Sequence, residues 1–423
     1  MNMLVSQTSP NSWLALISVS VLLFFACTFA IPSGYSYGAA LLLLISLAQL
    51  MSRPAYYLSY EDKALAFLLL IVFLIALAAF LIHGDELNSL DQSSRYLLFI
   101  PILLLFLRTT PSSRALWLGV LLGTLSSLGL ALWQRYIESN PRPDGFMTSA
   151  IPFGNLSLMA GIFCLCGVTW ANTQDNYAKA WKTALYGGFL AGLYVSFLSG
   201  SRGGWLAIPI VLIIFLVAYL RKNKLKAVTI SALLLLSAIS AIGLSMQQEI
   251  AIRYDAAITQ VRDYTAHGDA KSSVGLRLEA WRTAIGNIAE RPLLGWSYKD
   301  YDARLAQLAA DHKADVSVTT LANTHNNFLE VWLHQGLFGF LAFLALFIVP
   351  FWFFCKRLRS DDHTVQAFAL GGACLLACFF VFSLTQVILG RNNGVIFFGL
   401  SLVIFWGCMR NAEQRAAATA AGQ

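Results

Sequence analysis

Apolar runs long enough to cross a lipid bilayer recur along the whole chain, with short polar connections between them. Because a membrane-spanning helix needs roughly 20 predominantly apolar residues, the pattern predicts twelve spans. Their predicted bounds are 13–30, 36–51, 64–83, 95–107, 115–133, 151–171, 183–199, 205–220, 227–246, 328–354, 365–385 and 395–409. The predicted fold class is therefore an all-α integral membrane protein, with about twelve transmembrane helices.

One long polar segment, residues 247–327, interrupts this pattern between the ninth and tenth predicted spans. It holds nine Lys and Arg against ten Asp and Glu, so it is nearly neutral. Apolar residues recur at helical spacing in 248–266 and 276–290, and 301–310 is a shorter candidate helix. We expect three parts: helices 1–9 in residues 1–246, a loop domain of amphipathic helices in 247–327, and helices 10–12 with a tail in 328–423.

The distribution of positive charge predicts the orientation. If the N-terminus is cytoplasmic, the inner loops and the C-terminal tail carry fifteen Lys and Arg, whereas residues 84–94 on the other side carry none. Cytoplasmic loops hold the excess of Lys and Arg in membrane proteins. We therefore expect a protein of the bacterial inner membrane, with both termini in the cytoplasm and residues 247–327 on the periplasmic side.

Composition narrows the possible functions further. With 57% hydrophobic and 12% charged residues, the chain is far from the roughly 25% charge of soluble proteins. The net charge of +7 sits mainly at the ends of apolar runs, which predicts contact with membrane lipids and no nucleic-acid partner. All seven cysteines lie in or at the ends of apolar runs, and no zinc or nucleotide motif is present, so neither a metal nor a cofactor is predicted.

Arginines are prominent on the predicted outer side. Outside the long loop they are Arg95, Arg135, Arg142, Arg202 and Arg391. Charges near a membrane edge are costly unless paired or functional, although each of these could also be an interfacial anchor. Arg202 is favoured for anion binding because the serines and glycines of residues 199–204 let backbone amides approach an anion, and a helix follows. The planar guanidinium group of arginine can donate two parallel hydrogen bonds to a phosphate.

His325 is the strongest candidate for catalysis. It precedes the tenth span beside Asn326, and an imidazole can accept a proton near neutral pH. The alternative interpretation is a helix cap. Arg277 lies one helical turn before Trp281, which alone also fits an ordinary surface helix.

These residues occur in a block, Leu276 to Gly339, that resembles the one shared by the bacterial O-antigen ligase and O-antigen polymerase superfamily. The resemblance rests on Arg277 with Trp281, on the turn at residues 291–296, and on His325-Asn326, which nine residues separate from Gly336-x-x-Gly339. Arg142 to Asn155 and Ser201-Arg202-Gly203 resemble further motifs of the superfamily. The spacing from His325 to Gly339 is most similar to that of the ligases.

The resemblance implies a GT-C-like, inverting and metal-independent glycosyltransferase. Its donor would be O-antigen on undecaprenyl diphosphate and its acceptor the lipid A core of lipopolysaccharide. His325 would be the catalytic residue. Substrate and diphosphate binding would fall to Arg202, Arg277, Arg142, Arg95 and Asn326, with Gly203, Trp281, Gly336 and Gly339 as structural motif residues.

Three alternatives stay open. An O-antigen polymerase and a protein O-oligosaccharyltransferase would use the same donor with another acceptor. A transporter of lipid-linked glycans is disfavoured, because transporters place charged or broken helices near the membrane midplane, and the polar residues here collect towards one side.

Overall fold

The computed structural model describes residues 11–52, 55–147, 149–219, 247–268 and 270–421. Within those ranges every regular element is a helix. The helices before the long polar segment are α1 (Asn11–Ala30), α2 (Tyr35–Met51), α3 (Tyr60–His83), α4 (Asp91–Arg108), α5 (Ser113–Tyr136), α6 (Ala150–Ala171), α7 (Ala178–Ser199), α8 (Arg202–Trp205) and α9 (Ala207–Tyr219). The later ones are α10 (Gln247–His267), α11 (Ser273–Glu290), α12 (Tyr298–Ala310), α13 (Asn327–Cys355), α14 (His363–Thr385) and α15 (Asn392–Ala421). Two short 3₁₀ helices cover Leu87–Leu90 and Val316–Thr320.

The predicted all-α membrane architecture is confirmed, but the count of twelve spans is not. In the described part of the chain, nine helices are long and apolar enough to cross a bilayer, and α2 is a shorter apolar helix. The predicted span 183–199 falls within α7, and the predicted span 227–246 lies outside the described residues. The three predicted helices of the loop segment are present as α10, α11 and α12.

Helices α6, α14 and α15 form the centre of the bundle, since about four-fifths of the most apolar stretch of each is buried. Aromatic rings fill the space between them. Phe163 of α6 lies 4.6 Å from Phe405 and 6.0 Å from Phe397 of α15, measured between ring centroids. The loops at one end of these helices therefore start from a tightly packed core. They are the connection before α6, which contains Arg142, and the connection between α14 and α15, which contains Gln386 and Arg391.

Two groups of contacts join the polar connections between the helices. At one end, the loop after α3 meets the long polar segment, where Asp85 Oδ1 accepts from the Tyr298 amide at 3.1 Å. At the other end, Arg357 and Arg410 form ion pairs with Glu413 and with the carboxylates that begin α3.

Helix α13 is broken at Gly336, whose φ of 64° and ψ of −167° are not helical. The loop segment docks at this break. The Trp296 amide donates to Leu333 O at 2.7 Å, and the Leu337 amide donates to Pro292 O at 2.9 Å. A Cβ on Gly336 would lie 1.9 Å from Leu293 O, so a side chain has no room.

The second glycine of the motif lies against the same break. A Cβ on Gly339 would meet the side chains of Gln335 and Val331, which belong to the first half of the same helix. That first half packs with the loop segment around a second apolar cluster. Its members are Ala284, Ile288, Trp296, Tyr301, Leu305, Val318 and Leu333.

Candidate active site

His325 has a left-handed backbone, with φ of 55°. Residues with a Cβ adopt this region only when the surroundings hold them there. Its amide donates to Asn323 Oδ1 at 3.0 Å. The preceding residue, Thr324, is fixed by Trp281 Nε1, which donates to its carbonyl at 2.9 Å, and by Glu330 Oε2, which accepts from its amide and hydroxyl at 2.9 and 2.8 Å. The position of the imidazole is therefore determined by both α11 and α13.

Asn326 is the cap of α13. Its Oδ1 accepts from the amides of Phe328 and Leu329 at 2.9 and 3.2 Å, which satisfies two of the otherwise unpaired amides at a helix start. The next residue, Asn327, accepts from the Leu389 amide through its Oδ1 at 3.0 Å. The two asparagines thus join the His325 segment to α13 and to the connection between α14 and α15.

The imidazole of His325 contacts Gln386, the first residue after α14. Nδ1 of His325 lies 2.7 Å from Oε1 of Gln386, and Gln386 is buried. With the amide oxygen facing the ring, Nδ1 carries the proton and donates it, which leaves Nε2 as the basic nitrogen.

The surroundings also favour the neutral imidazole. Burial lowers the pKa of His325, and the positive charges of Arg277 and Arg391 lower it further. The hydrogen bond to Gln386 and the charge of Glu330 act in the opposite direction but do not outweigh these effects. His325 is therefore unprotonated at neutral pH and able to accept a proton.

The Arg202 loop lies against the ends of α6 and α14. Ser201 Oγ donates to the carbonyls of Ala150 and Ile151 at 3.2 and 3.1 Å. A Cβ on Gly203 would lie 2.3 Å from Thr385 Oγ1, so glycine is needed for the loop to approach the residue that precedes Gln386. The helix that begins at Arg202 is only one turn long. Leu206, which follows it, keeps a helical backbone with φ of −63° and ψ of −19°, and the helical segment continues through α9 to Tyr219.

Three of the predicted arginines converge beside this loop. Arg142 Nε donates to Ser199 O at 3.2 Å, which places it at the start of the Arg202 loop. Burial lowers the pKa of Arg277, and the charges of Arg202 and Arg142 lower it further. Arg277 lies one turn before Trp281 on α11, so the same helix places a guanidinium and anchors the His325 segment. The charges of Arg142 and Arg202 thus act on the guanidinium of Arg277.

The two remaining arginines are placed differently. Arg95 forms an ion pair with Asp91 at 2.8 Å and donates to Asn392 Oδ1 at 3.2 Å, at the margin of the site. Arg391 is half-buried, burial lowers its pKa, and its charge acts on His325.

Sequence reasoning missed the roles of Gln386, Glu330 and Arg391. Arg391 carried a signal, as an arginine on the predicted outer side. Gln386 carried none, because a single glutamine after an apolar run has no distinctive spacing. Among the described residues, no group of three or more His, Cys, Asp and Glu side chains could hold a metal ion; that the activity needs no metal stays a prediction.

The chain is similar to one protein family and to proteins of two bacteria. A family model described as O-antigen ligase matches residues 187–344, which include Arg202, Arg277 and His325. An uncharacterized protein of Haemophilus influenzae is 28% identical over 396 residues, covering 92% of this chain and 97% of that protein. An O-antigen ligase of Escherichia coli is 25% identical over 231 residues, about half of each chain.

Proposed function

The chain belongs to the O-antigen ligase superfamily, and from that premise we propose that it is an O-antigen ligase. It transfers O-antigen polysaccharide from undecaprenyl diphosphate to a sugar of the lipid A core. The observation that carries the proposal is the convergence of a neutral, oriented His325 with the guanidiniums of Arg142, Arg202 and Arg277. These side chains come from four separate segments of the chain.

In the proposed reaction the arginines hold the diphosphate of the donor. Guanidinium groups donate paired hydrogen bonds to phosphate oxygens, and they stabilise the negative charge that develops when the bond between sugar C1 and the diphosphate oxygen breaks. Arg142 and Arg202 both act on Arg277 with like charge, and a bound diphosphate would offset that repulsion. We assign a supporting role to Arg95, at the margin, and to Arg391.

His325 acts on the acceptor. Nε2 takes the proton of the acceptor hydroxyl as its oxygen forms the new bond to C1, and Gln386 stabilises the resulting imidazolium through Nδ1. A single displacement of this kind inverts the configuration at C1. No metal is needed in this scheme, because the arginines supply the positive charge. Asn326 contributes by fixing the segment on which His325 lies.

The membrane arrangement follows the charge pattern. We place the site on the periplasmic side of the inner membrane, with both termini cytoplasmic and residues 247–327 as the loop domain over a GT-C-like bundle. A donor whose lipid tail stays in the bilayer presents its diphosphate at this interface. The contacts of Asp85 and His83 with residues 294–298 support one outer face for both loops.

An O-antigen polymerase is the second candidate, since it would use the same donor and the same chemistry. The name of the Escherichia coli relative favours the ligase. An assay with purified protein, lipid-linked O-antigen and either core lipopolysaccharide, excess lipid-linked glycan or a protein acceptor separates the alternatives. The ligase proposal expects a shift of the core band on a gel. Longer lipid-linked chains with unmodified core would establish a polymerase, and glycosylated protein would establish a protein transferase.

A further inference from the structure

A cavity of about 300 Å³ lies next to the His325 segment. Its walls come from α3, from both halves of α13, from the connection between α14 and α15, and from the start of α4 with the turn before it, where Asn88, Ser89, Gln92, Ser93 and Tyr96 line it. It is separate from the arginines described above, which do not line it.

The position of the cavity relates it to the reaction centre. Asn323 and Asn327, on either side of His325 in sequence, both line it, as does Val387, which follows Gln386. Glu330 also lines it, and the charge of Glu330 acts on the imidazole, as do those of Arg277 and Arg391. The segment that carries His325 therefore contributes to the cavity wall on both sides of this residue, and charges of the wall and of the arginines both act on the imidazole.

The chemistry of the cavity is unlike that of the arginine cluster. None of the described residues that line it is Lys or Arg, and its single carboxylate is Glu330. The other polar groups are amides and hydroxyls, including those of Gln92, Ser93 and Gln335. Neutral donors and acceptors with one carboxylate match the hydroxyls of a sugar, whereas a diphosphate would find no cation there.

Two further features suit a sugar ring. Oε1 of Glu330 lies 3.8 Å from Nε2 of His334, beyond hydrogen-bonding distance, while Oε2 holds Thr324. Tyr298 also lines the cavity, and its ring is stacked on His334 with centroids 3.8 Å apart. The cavity thus offers a carboxylate oxygen and an aromatic side chain that are both held in place.

We propose that this cavity binds the terminal sugar of the acceptor glycan. The inference rests on the proposed function. In an inverting displacement, the acceptor oxygen and the diphosphate lie on opposite sides of C1, so the two substrates need separate subsites, and the base lies on the acceptor side. The arginine cluster supplies one, and the neutral cavity supplies the other.

Kinetics with two substrates test the proposal. Gln92→Leu removes polar atoms from the wall, and Ala342→Phe fills the cavity. Each is expected to raise the KM for core lipopolysaccharide about tenfold, as for the loss of roughly 1.4 kcal/mol of binding, while the KM for lipid-linked O-antigen stays within twofold. Gln260→Leu makes the same change on α10, away from the cavity, and should alter neither KM.

The outcomes separate this inference from the proposed function. Unchanged acceptor KM values in both cavity variants would overturn the inference and leave the ligase intact. A raised donor KM would place the donor glycan in the cavity and also overturn it. A retained donor KM shows that a variant is folded, and Gln92→Leu keeps the test available if Ala342→Phe does not fold.

Binding without turnover completes the test. Fluorescein-labelled, delipidated core oligosaccharide should bind the wild-type protein and bind Ala342→Phe at least tenfold more weakly. If the wild type transfers nothing to core but this binding difference is present, the ligase proposal fails and the sugar site stands. If the wild type does not bind the oligosaccharide, the sugar site fails.

Discussion

Nδ1 of His325 and Oε1 of Gln386 lie 2.7 Å apart, although the two residues are separated by 61 positions in the chain. The contact joins the end of the long polar segment to the end of a central helix of the bundle. It also determines which imidazole nitrogen is basic, because Nδ1 donates to the amide oxygen.

Substitution of Gln386 should therefore change the pH profile as well as the rate. Gln386→Glu places a negatively charged carboxylate beside Nδ1 of His325. This charge stabilises the imidazolium and raises the pKa of His325. The acid limb of kcat/KM is expected to move to higher pH by about one unit. Gln386→Leu removes the acceptor and should lower kcat without that upward shift. Equal losses with an unmoved profile in both variants would mean that Gln386 only supports packing.

The wild-type enzyme should be active over the neutral range and lose activity in acid. Burial and the nearby arginines lower the pKa of His325 below its usual value of 6.5, so the base is protonated only when the pH falls below that value. A profile of kcat/KM from pH 5 to 8 checks this. An inflection above 6.5 would contradict the assigned environment of the imidazole.

Loss of Arg277 should weaken donor binding without weakening the fold. Arg277→Met removes a partly buried charge that Arg202 and Arg142 repel, so the melting temperature should stay the same or rise. The KM for the donor should increase roughly 10- to 100-fold, as expected for a lost charged hydrogen bond of about 1.5–3 kcal/mol.

Arg304→Met is the matched control for that variant. Arg304 belongs to the same loop segment and pairs with Glu290 at 2.6 Å, so its loss should leave the donor KM unchanged. A lower melting temperature in Arg277→Met, with an unchanged donor KM, would show that Arg277 is a structural residue.

The break at Gly336 predicts a large stability difference between two glycines. Gly336→Ala places a Cβ against Leu293 O at a positive φ, so it should destabilise the protein by about 1–3 kcal/mol and loosen the docked loop segment. Gly187→Ala, where a Cβ meets nothing within 4 Å, should be neutral or stabilise α7 by roughly 0.5–1 kcal/mol. Thermal unfolding of both variants in detergent measures the difference; equal melting temperatures would contradict the role of the break.

Much of the helical layout could be predicted from the sequence, because apolar runs of bilayer length have few other structures open to them. The helices of the loop segment could also be predicted from the sequence, since their apolar residues recur at helical spacing. The number of membrane spans was harder to predict from the sequence. α2 and α7 are shorter or more polar than a clear span, and only packing against their neighbours defines them.

The site was predictable in its residue types but not in its contacts. Arg202, Arg277 and His325 carry local signals of glycines, aromatic spacing and a helix start. Their proximity depends on tertiary packing, for example Gly203 against Thr385 and Trp281 against the Thr324 carbonyl. Gln386 could not be found, because its role arises only where two distant segments meet. The helix-cap interpretation also holds for the segment, but Asn326 performs that task, and His325 is left with its imidazole directed at Gln386.

The most direct test is the initial rate of transfer by purified protein in the presence of a chelator. Lipid-linked O-antigen and core lipopolysaccharide are supplied to the wild type, to His325→Ala and to His325→Ala with imidazole added. General-base catalysis contributes roughly 10²- to 10⁴-fold, so the alanine variant should lose at least a hundredfold in kcat while it remains monodisperse and keeps its donor KM. Full activity in His325→Ala, or wild-type activity that disappears with the chelator, would contradict the account.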